Sequence, residues 1–145
     1  MNLNTTLRLS GAAMGVARTR LNVTASNLAN AETTRTPEGG PYKRRTVEVE
    51  ARPLLDTENE PVGRALGTAL REPVAARVSM DKRPDRLVYD PTHPDANDDG
   101  YVAMPNIEVV EEMVNMIAAN RAYSAAASAL QTVKTMAQRA LDIAT

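Results

Sequence analysis

The sequence predicts an α+β protein in which long N- and C-terminal helices pair as a coiled coil and a small β-rich domain lies between them. Apolar residues recur every seven positions near both ends, and short alternating segments occupy the middle. Pro and Gly separate these segments. The predicted division is an assembly helix over residues 1–31, loops and strands over 32–105, and a second assembly helix over 106–145.

The N-terminal segment from about Leu3 to Ala29 has the periodicity of a coiled-coil helix. Its main apolar residues lie seven positions apart: Leu7, Met14, Leu21 and Leu28. Such a repeat is typical of a narrow seam that packs against a partner helix. Small residues flank this seam and allow close approach: Ser10, Gly11, Ala17, Thr24, Ala25 and Ala31. We expect Asn30 to end the helix, because Asn tolerates the left-handed conformation found there.

The middle of the chain predicts short strands separated by loops. The first is expected over Tyr42–Arg52, with Val47 and Val49 on one face. The second is expected over Val74–Met80, with one face formed by Val74, Ala76, Val78 and Met80. Two shorter strands are expected over Leu87–Tyr89 and Tyr101–Met104. Between the first two strands, Pro53–Pro73 predicts a mobile loop or a weak hairpin.

The C-terminal segment predicts a long helix from about Ile107 to Ile143. Asn106 is a suitable N-cap, and Glu108, Glu111 and Glu112 favour the helix dipole in the first turns. Its seam again has a period of seven: Met116, Tyr123, Leu130 and Ala137. We expect Tyr123, the one aromatic residue of this seam, to anchor the helix pair.

Composition excludes several classes of function. The chain has four Tyr, no Phe and no Trp, so it lacks the ring side chains that usually line small-molecule pockets. Its 17 basic and 18 acidic residues nearly cancel, which gives no electrostatic reason to expect nucleic acid. The absence of Cys excludes thiolate sites and disulfides. No segment is long enough to predict a membrane span, and a cleaved signal peptide is the less favoured interpretation.

Two loop features are candidates for metal or catalytic sites. The run Asp95–Gly100 matches the first half of a calcium loop, but Asn106 stands where such a loop needs Glu. An acidic turn closed by its own side chains is the favoured interpretation. His93 is the single histidine, so we expect local hydrogen bonding rather than zinc binding. No catalytic residue, cofactor site or metal site is predicted.

The basic cluster Lys43–Arg45 has two interpretations. Such a run at the start of a strand is usually a solvated edge that discourages strand aggregation. Alternatively, it contacts an acidic patch on a neighbouring subunit. The asparagines of the first helix are also open to two interpretations, surface polarity or hydrogen bonding across helices. We favour the second for Asn22 and Asn27, since a buried polar residue can fix the register of a coiled coil.

Several motifs resemble one family over essentially the whole chain. Ser26-Asn27-Leu28-Ala29-Asn30, followed by Ala31–Thr34, is similar to the signature of the bacterial flagellar axial family, which includes rod and hook proteins. Further motifs narrow the resemblance to the rod: Thr34–Tyr42, Leu87–Pro91 with His93–Asp95, Asp99–Val102 with Pro105–Asn106, and Val109–Val114 with Arg121–Tyr123.

The resemblance implies a structural role. In this family the terminal helices pair and pack with neighbouring subunits into a tubular drive shaft that transmits torque. Subunits travel unfolded through the flagellar type III export apparatus without a cleaved signal peptide, and the rod crosses the periplasm. The implied partners are other rod proteins, copies of the chain itself, and the base of the basal body.

The periodicity and the resemblance together give a predicted assembly interface. In the N-terminal helix it comprises Leu7, Met14, Leu21, Asn22, Ser26, Asn27, Leu28 and Asn30. In the C-terminal helix it comprises Met113, Met116, Asn120, Tyr123, Leu130, Ala137 and Leu141. Two alternatives remain: a coiled-coil adaptor for another helical partner, and a small enzyme or calcium-binding module that uses Asp95–Gly100. Sedimentation with purified rod components distinguishes the adaptor from a rod subunit. A metal titration tests the calcium-binding alternative.

Overall fold

The computed structural model describes residues 3–53 and 71–144. Its elements, in chain order, are α1 (Leu3–Ala29), β1 (Arg45–Pro53), β2 (Arg71–Met80), β3 (Arg86–Tyr89), β4 (Tyr101–Met104) and α2 (Val109–Ala144). The predicted α+β fold is confirmed, because α1 packs along α2 and the strands lie between the two helices in sequence. No helix in these two ranges combines the length and the hydropathy that crossing a bilayer requires.

The helix pair buries small residues at its closest approach. In α1, Ser10, Ala17 and Thr24 are buried, and the predicted seam residues Leu7, Met14, Leu21 and Leu28 are half-buried beside them. In α2, Glu112, Ala119 and Ala126 are buried, with Met116, Tyr123 and Leu130 half-buried. Both helices therefore show the alternating three- and four-residue spacing of a coiled coil. The sequence analysis predicted the positions with large side chains as the seam. It assigned the positions with small side chains, such as Ser10, Ala17 and Thr24, to the flanks of the seam.

The predicted bounds of α1, Leu3–Ala29, are confirmed, whereas the capping of both helices differs from the prediction. No non-glycine residue in the described ranges has a positive φ, so the expected left-handed conformation of Asn30 is wrong. Instead, Asn30 Nδ2 donates to the carbonyl of Ser26 at 2.8 Å and satisfies one of the last-turn acceptors. At the other end, α2 starts at Val109. The Glu108 carbonyl accepts from Glu112 N at 3.0 Å, so Glu108 rather than Asn106 holds the N-cap position.

The four strands form two separate antiparallel pairs. In β1 and β2, nine residues pair from Arg45 opposite Met80 to Pro53 opposite Arg71. In β3 and β4, Val102 has no exposed surface and stands opposite Val88. The predicted Pro53–Pro73 loop falls largely outside the described residues, and at its margins Pro53 ends β1 while Arg71 begins β2.

A β-bulge in β2 corrects the predicted face of that strand. Glu48 is opposite Arg77 whereas Val49 is opposite Ala75, which leaves Ala76 as the extra residue. Because one extra residue reverses the side on which later side chains lie, Ala75 shares the face of Val49. Val74 is opposite Glu50 and therefore lies on the other face from Val78 and Met80, so the expectation that it shares their face is wrong.

Candidate assembly site

Asn27 lies at the centre of a buried polar cluster between the two helices and β1. Its side chain is 1% exposed. The amide nitrogen donates to Glu112 Oε2 at 3.0 Å and to the Arg45 carbonyl at 2.8 Å. The amide oxygen accepts from Arg45 N at 2.9 Å and from the Tyr42 hydroxyl at 3.3 Å. One side chain thus satisfies the backbone at the start of β1 and joins α1 to α2.

Glu112 and Arg44 form the charged part of this cluster. Glu112 is 1% exposed, and its Oε1 accepts from Arg44 Nε at 2.9 Å and from Nη2 at 2.6 Å. Arg44 also contacts Glu111 at 3.1 Å and Asp81 at 3.5 Å. A buried carboxylate is costly unless its charge and lone pairs are matched, and here Arg44 and Asn27 supply both. We call Asn27, Tyr42, Arg44 and Glu112 the hub.

The loop after α1 delivers Tyr42 and Arg44 to the hub. Gly39 and Gly40 have φ values of 89° and 73°, which L-residues rarely adopt. They turn the chain back so that Tyr42 N donates to the Thr33 carbonyl at 3.0 Å. Tyr42 then packs with Ala31 and Ile107 in a small apolar core, and its hydroxyl lies 3.2 Å from Ser26 Oγ.

Neither sequence interpretation of Lys43–Arg45 describes the whole cluster. Lys43 bonds Asp85 at 2.6 Å, and the exposed Arg45 guanidinium lies 5.6 Å from the centre of the Tyr42 ring. Arg44, however, has only 12% of its side chain exposed and binds carboxylates of its own chain. The solvated-edge interpretation is wrong for Arg44, because the start of β1 passes beside the first turn of α2.

The predicted interface residues divide into two groups. Those that are buried or half-buried within the chain are Leu7, Met14, Leu21, Ser26, Asn27, Leu28, Asn30, Met116, Tyr123, Leu130 and Ala137. Those that are exposed are Asn22, Met113, Asn120 and Leu141. The predicted cross-helix hydrogen bond of Asn27 is present, and it joins two helices of one chain. Asn22 points to solvent, so the structure gives it no such bond.

Sequence reasoning did not assign Tyr42, Arg44 or Glu112 to the site. One available signal was the position of Glu112, seven residues before Ala119 and four before Met116. A carboxylate at a seam position requires a buried partner. In the sequence analysis, Glu112 was explained by its favourable interaction with the helix dipole. That explanation requires no buried partner, so none was predicted.

The Asp95–Gly100 turn is held by its own polar groups and by the loop that follows α1. Asn97 Oδ1 accepts from Asp99 N at 3.1 Å and from Tyr101 N at 2.7 Å. Asp95 accepts from Thr34 Oγ1 at 2.8 Å. The predicted local bond of His93 is confirmed, because its Nδ1 accepts from Asp95 N at 3.1 Å. Within residues 3–53 and 71–144, no three His, Cys, Asp or Glu side chains group as a metal site.

Two carboxylates outside the hub have shifted pKa values. Hydrogen bonds from the side chain and backbone of Arg83 lower the pKa of Asp81 to about 2. Hydrogen bonds from Thr92 lower the pKa of Asp90. Both carboxylates stabilise local turns through these bonds to residues two positions further along the chain.

Comparison with known proteins gives the class and then the family. Residues 7–35 match the family described as "Flagella basal body rod protein", and residues 98–143 match "Flagellar basal body rod FlgEFG protein C-terminal". These matches cover most of α1 with the start of the loop that follows it, and β4 with most of α2. The matched descriptions therefore define the class as a flagellar basal-body rod protein.

Similar proteins cover the chain almost end to end. The flagellar basal-body rod protein FlgC of Borreliella burgdorferi is 36% identical, covering 99% of this chain and 98% of its own. FlgC of Salmonella typhimurium is 40% identical over 93% of this chain and 92% of its own. FlgC of Bacillus subtilis is 35% identical over 94% and 95%. The chain belongs to the FlgC family of flagellar basal-body rod proteins, and it is a structural subunit of the rod.

Proposed function

We propose that the paired terminal helices are the assembly unit of this subunit, and that the hub transmits force from the helix pair to the strands. A shaft that transmits torque needs continuous packed helices and a stiff attachment of each subunit's remaining parts. The hub provides such an attachment, because it fastens α1, β1 and α2 at one point. The role we propose is mechanical rather than catalytic.

The observation that carries this proposal is the outer face of α1. It comprises Gly11, Gly15, Arg18, Asn22 and Ala25, all exposed. A Cβ added at Gly11 or Gly15 would meet nothing within 4 Å. Each glycine costs the helix about 1 kcal/mol relative to Ala, and nothing in the described chain offsets that cost. Close approach of a neighbouring helix in the rod supplies the reason for keeping them.

The double variant Gly11→Ala/Gly15→Ala tests this interpretation. The isolated subunit should become more stable, because two glycines leave a helix interior. Incorporation into basal bodies of a strain lacking the native subunit should fall, because two methyl groups occupy the approach of the neighbour. Thr132→Ala, at an exposed position of α2, is the matched control that raises helix propensity without altering α1. Normal incorporation of the double variant would contradict the proposal.

The same proposal gives the expected partners of the subunit and its expected route of export. We expect contacts with other rod proteins and with copies of the chain, and entry to the periplasmic rod through the flagellar export apparatus without a cleaved signal peptide. Mass spectrometry of the subunit from purified basal bodies tests the last point. Loss of more residues than Met1 from the N-terminus would contradict export without a cleaved signal peptide.

A further inference from the structure

The outer face of the β3–β4 ribbon exposes an aromatic pair. Tyr89 and Tyr101 stand opposite each other in the ladder, and their ring centroids lie 5.3 Å apart in an edge-to-face contact. Tyr89 is 65% exposed and Tyr101 is 43% exposed. The sequence has four Tyr, no Phe and no Trp, so half of its aromatic residues lie on this one open face. Tyrosines placed in this way are typical of binding surfaces.

Leu87 extends the aromatic pair along the same face. It precedes Tyr89 by two residues, stands opposite the small Ala103 and is 66% exposed. The inner face of the ribbon instead holds Val102, which has no exposed surface. The ribbon therefore buries one face within the chain and leaves the other available to a partner. We call Leu87, Tyr89 and Tyr101 the ribbon face.

Gly100 fixes the position of the Tyr89 ring. Its φ is 78°, and an added Cβ would lie 2.9 Å from Tyr89 Cε2, so the ring rests against the backbone of the turn between β3 and β4. A side chain that is already oriented loses less conformational freedom when a partner binds. This contact orients Tyr89 but leaves most of its surface, and that of Leu87, open.

Two free carboxylates adjoin the ribbon face. Asp98 and Asp99 are exposed, and they immediately precede Gly100, on which the Tyr89 ring rests. Within residues 3–53 and 71–144, neither carboxylate has a hydrogen bond or an ion pair. Both are therefore available to a cation that approaches the rings.

The other charges of this region are either engaged or distant along the ribbon. Asp90 accepts from Thr92, and Asp95 lies 3.8 Å from the Arg35 guanidinium. Residues 87–120 contain no Lys or Arg. Arg86 begins β3, at the end of the ribbon away from the turn. The ribbon face thus combines aromatic rings, an apolar side chain and uncompensated negative charge.

We infer that the ribbon face binds an extended segment of a neighbouring protein that carries an arginine and, two residues away, an apolar side chain. A guanidinium stacks on aromatic rings and forms bidentate contacts with carboxylates, whereas an ammonium offers only a point charge. Side chains i and i+2 of an extended segment lie roughly 7 Å apart on one face. Leu87 and Tyr89 have this same spacing in β3, so the apolar side chain covers Leu87 while the arginine covers the rings. The inference goes beyond the assembly role of the helices and does not depend on it.

Tyrosine-ring NMR of the full-length chain tests the contact. The probe is the peptide Ac-Thr-Leu-Thr-Arg-Thr-NH2, titrated into protein with isotope-labelled Tyr rings. The signals of Tyr89 and Tyr101 should shift and saturate in the millimolar range, because one exposed cation–π contact and one surface ion pair are individually weak. Tyr42 in the hub and Tyr123 in the helix pair are internal controls and should not shift. No shift, or equal shifts of all four rings, would overturn the inference.

Changes to the peptide test the chemistry of the partner. Lysine in place of arginine should lower the affinity by about threefold, because an ammonium cannot stack on the rings and bind both carboxylates in the same way. Glutamate in place of arginine should abolish the shifts. Equal binding of the arginine and glutamate peptides would overturn the inference, because it would show a non-specific apolar contact.

Changes to the carboxylates test the charged part of the surface. Asp98→Asn/Asp99→Asn should lower the affinity for the arginine peptide by about fivefold and remove most of its salt dependence. The matched control is Glu48→Gln/Glu50→Gln, which removes two exposed carboxylates from β1 and should leave the affinity unchanged. Equal effects of the two double variants would overturn the inference.

Changes to the rings test the aromatic part. Tyr89→Leu/Tyr101→Leu keeps apolar side chains on the ribbon and should lower the affinity at least about tenfold, measured from the backbone amide signals of β3 and β4. Unchanged signals of Tyr42 and Tyr123 show that this variant is folded. Native affinity in the folded variant would overturn the inference. Dimerisation of the native chain that this variant abolishes would overturn it too, because a second copy would then occupy the ribbon face.

Discussion

Asn27 Nδ2 donates a hydrogen bond of 3.0 Å to Glu112 Oε2, which joins the last turns of α1 to the first turn of α2 across 85 residues of sequence. Both side chains are 1% exposed. This bond joins the two helices where α1 ends and α2 begins. Near the opposite end of the pair, Leu3 is 47% and Leu141 is 68% exposed.

Replacing Asn27 should destabilise the subunit itself. Asn27→Ala leaves the N–H and the carbonyl of Arg45 without their buried partner, and we expect a loss of about 2–4 kcal/mol in the free energy of unfolding. Urea denaturation measures it. Asn22→Ala, on the exposed side of the same helix, is the control and should change stability by no more than about 0.5 kcal/mol. Equal effects of the two variants would show that the hub contributes nothing.

The Arg44–Glu112 pair should behave as a coupled unit. Arg44→Met leaves a buried carboxylate without its cation and should cost about 3–5 kcal/mol. The double variant Arg44→Met/Glu112→Leu should recover a large part of that loss, because no charge is then left buried. A double-mutant cycle measures the coupling. Strict additivity of the two single changes would contradict the assignment of a direct pair.

Gly100 should be intolerant of any side chain. Its φ is 78°, and a Cβ there would lie 2.9 Å from Cε2 of Tyr89 and 3.3 Å from Cβ of Pro91. Gly100→Ala should cost about 1–3 kcal/mol. Gly39→Ala is the matched control, since Gly39 also has a positive φ but no atom within 4 Å of the added Cβ. A smaller loss for Gly100→Ala than for Gly39→Ala would contradict this contact.

The contribution of Asp81 to stability should be lost at low pH. Arg83 lowers its pKa from 3.8 to about 2 in the folded chain, so the folded state favours the ionised form. The contribution is fully present above pH 3.8 and is lost as the pH falls toward 2. The Tm difference between the native chain and Asp81→Asn should therefore be larger at pH 6 than at pH 2. A difference independent of pH would refute the prediction.

The sequence predicted what depends on local periodicity. The helices, their seams and all four strands follow from spacings of seven and two, and the SNLAN motif identified the family. The predicted face of Val74 in β2 is wrong, because a bulge has no signal in an alternating pattern that continues through it. The hub was missed for a different reason. Arg44 and Glu112 are 68 residues apart, and their pairing depends on the return of the chain after Gly39 and Gly40.

Deletion of residues 1–20 tests the central claim, that the terminal helices form the assembly unit, most directly. The deletion removes most of the outer face of α1 and retains Asn27, so the hub keeps its amide. The shortened subunit is expressed in a strain lacking the native subunit, and its amount in purified basal bodies is measured alongside that of the full-length chain. The account predicts a subunit that is stably produced but absent from the rod. Incorporation at the full-length level would contradict it.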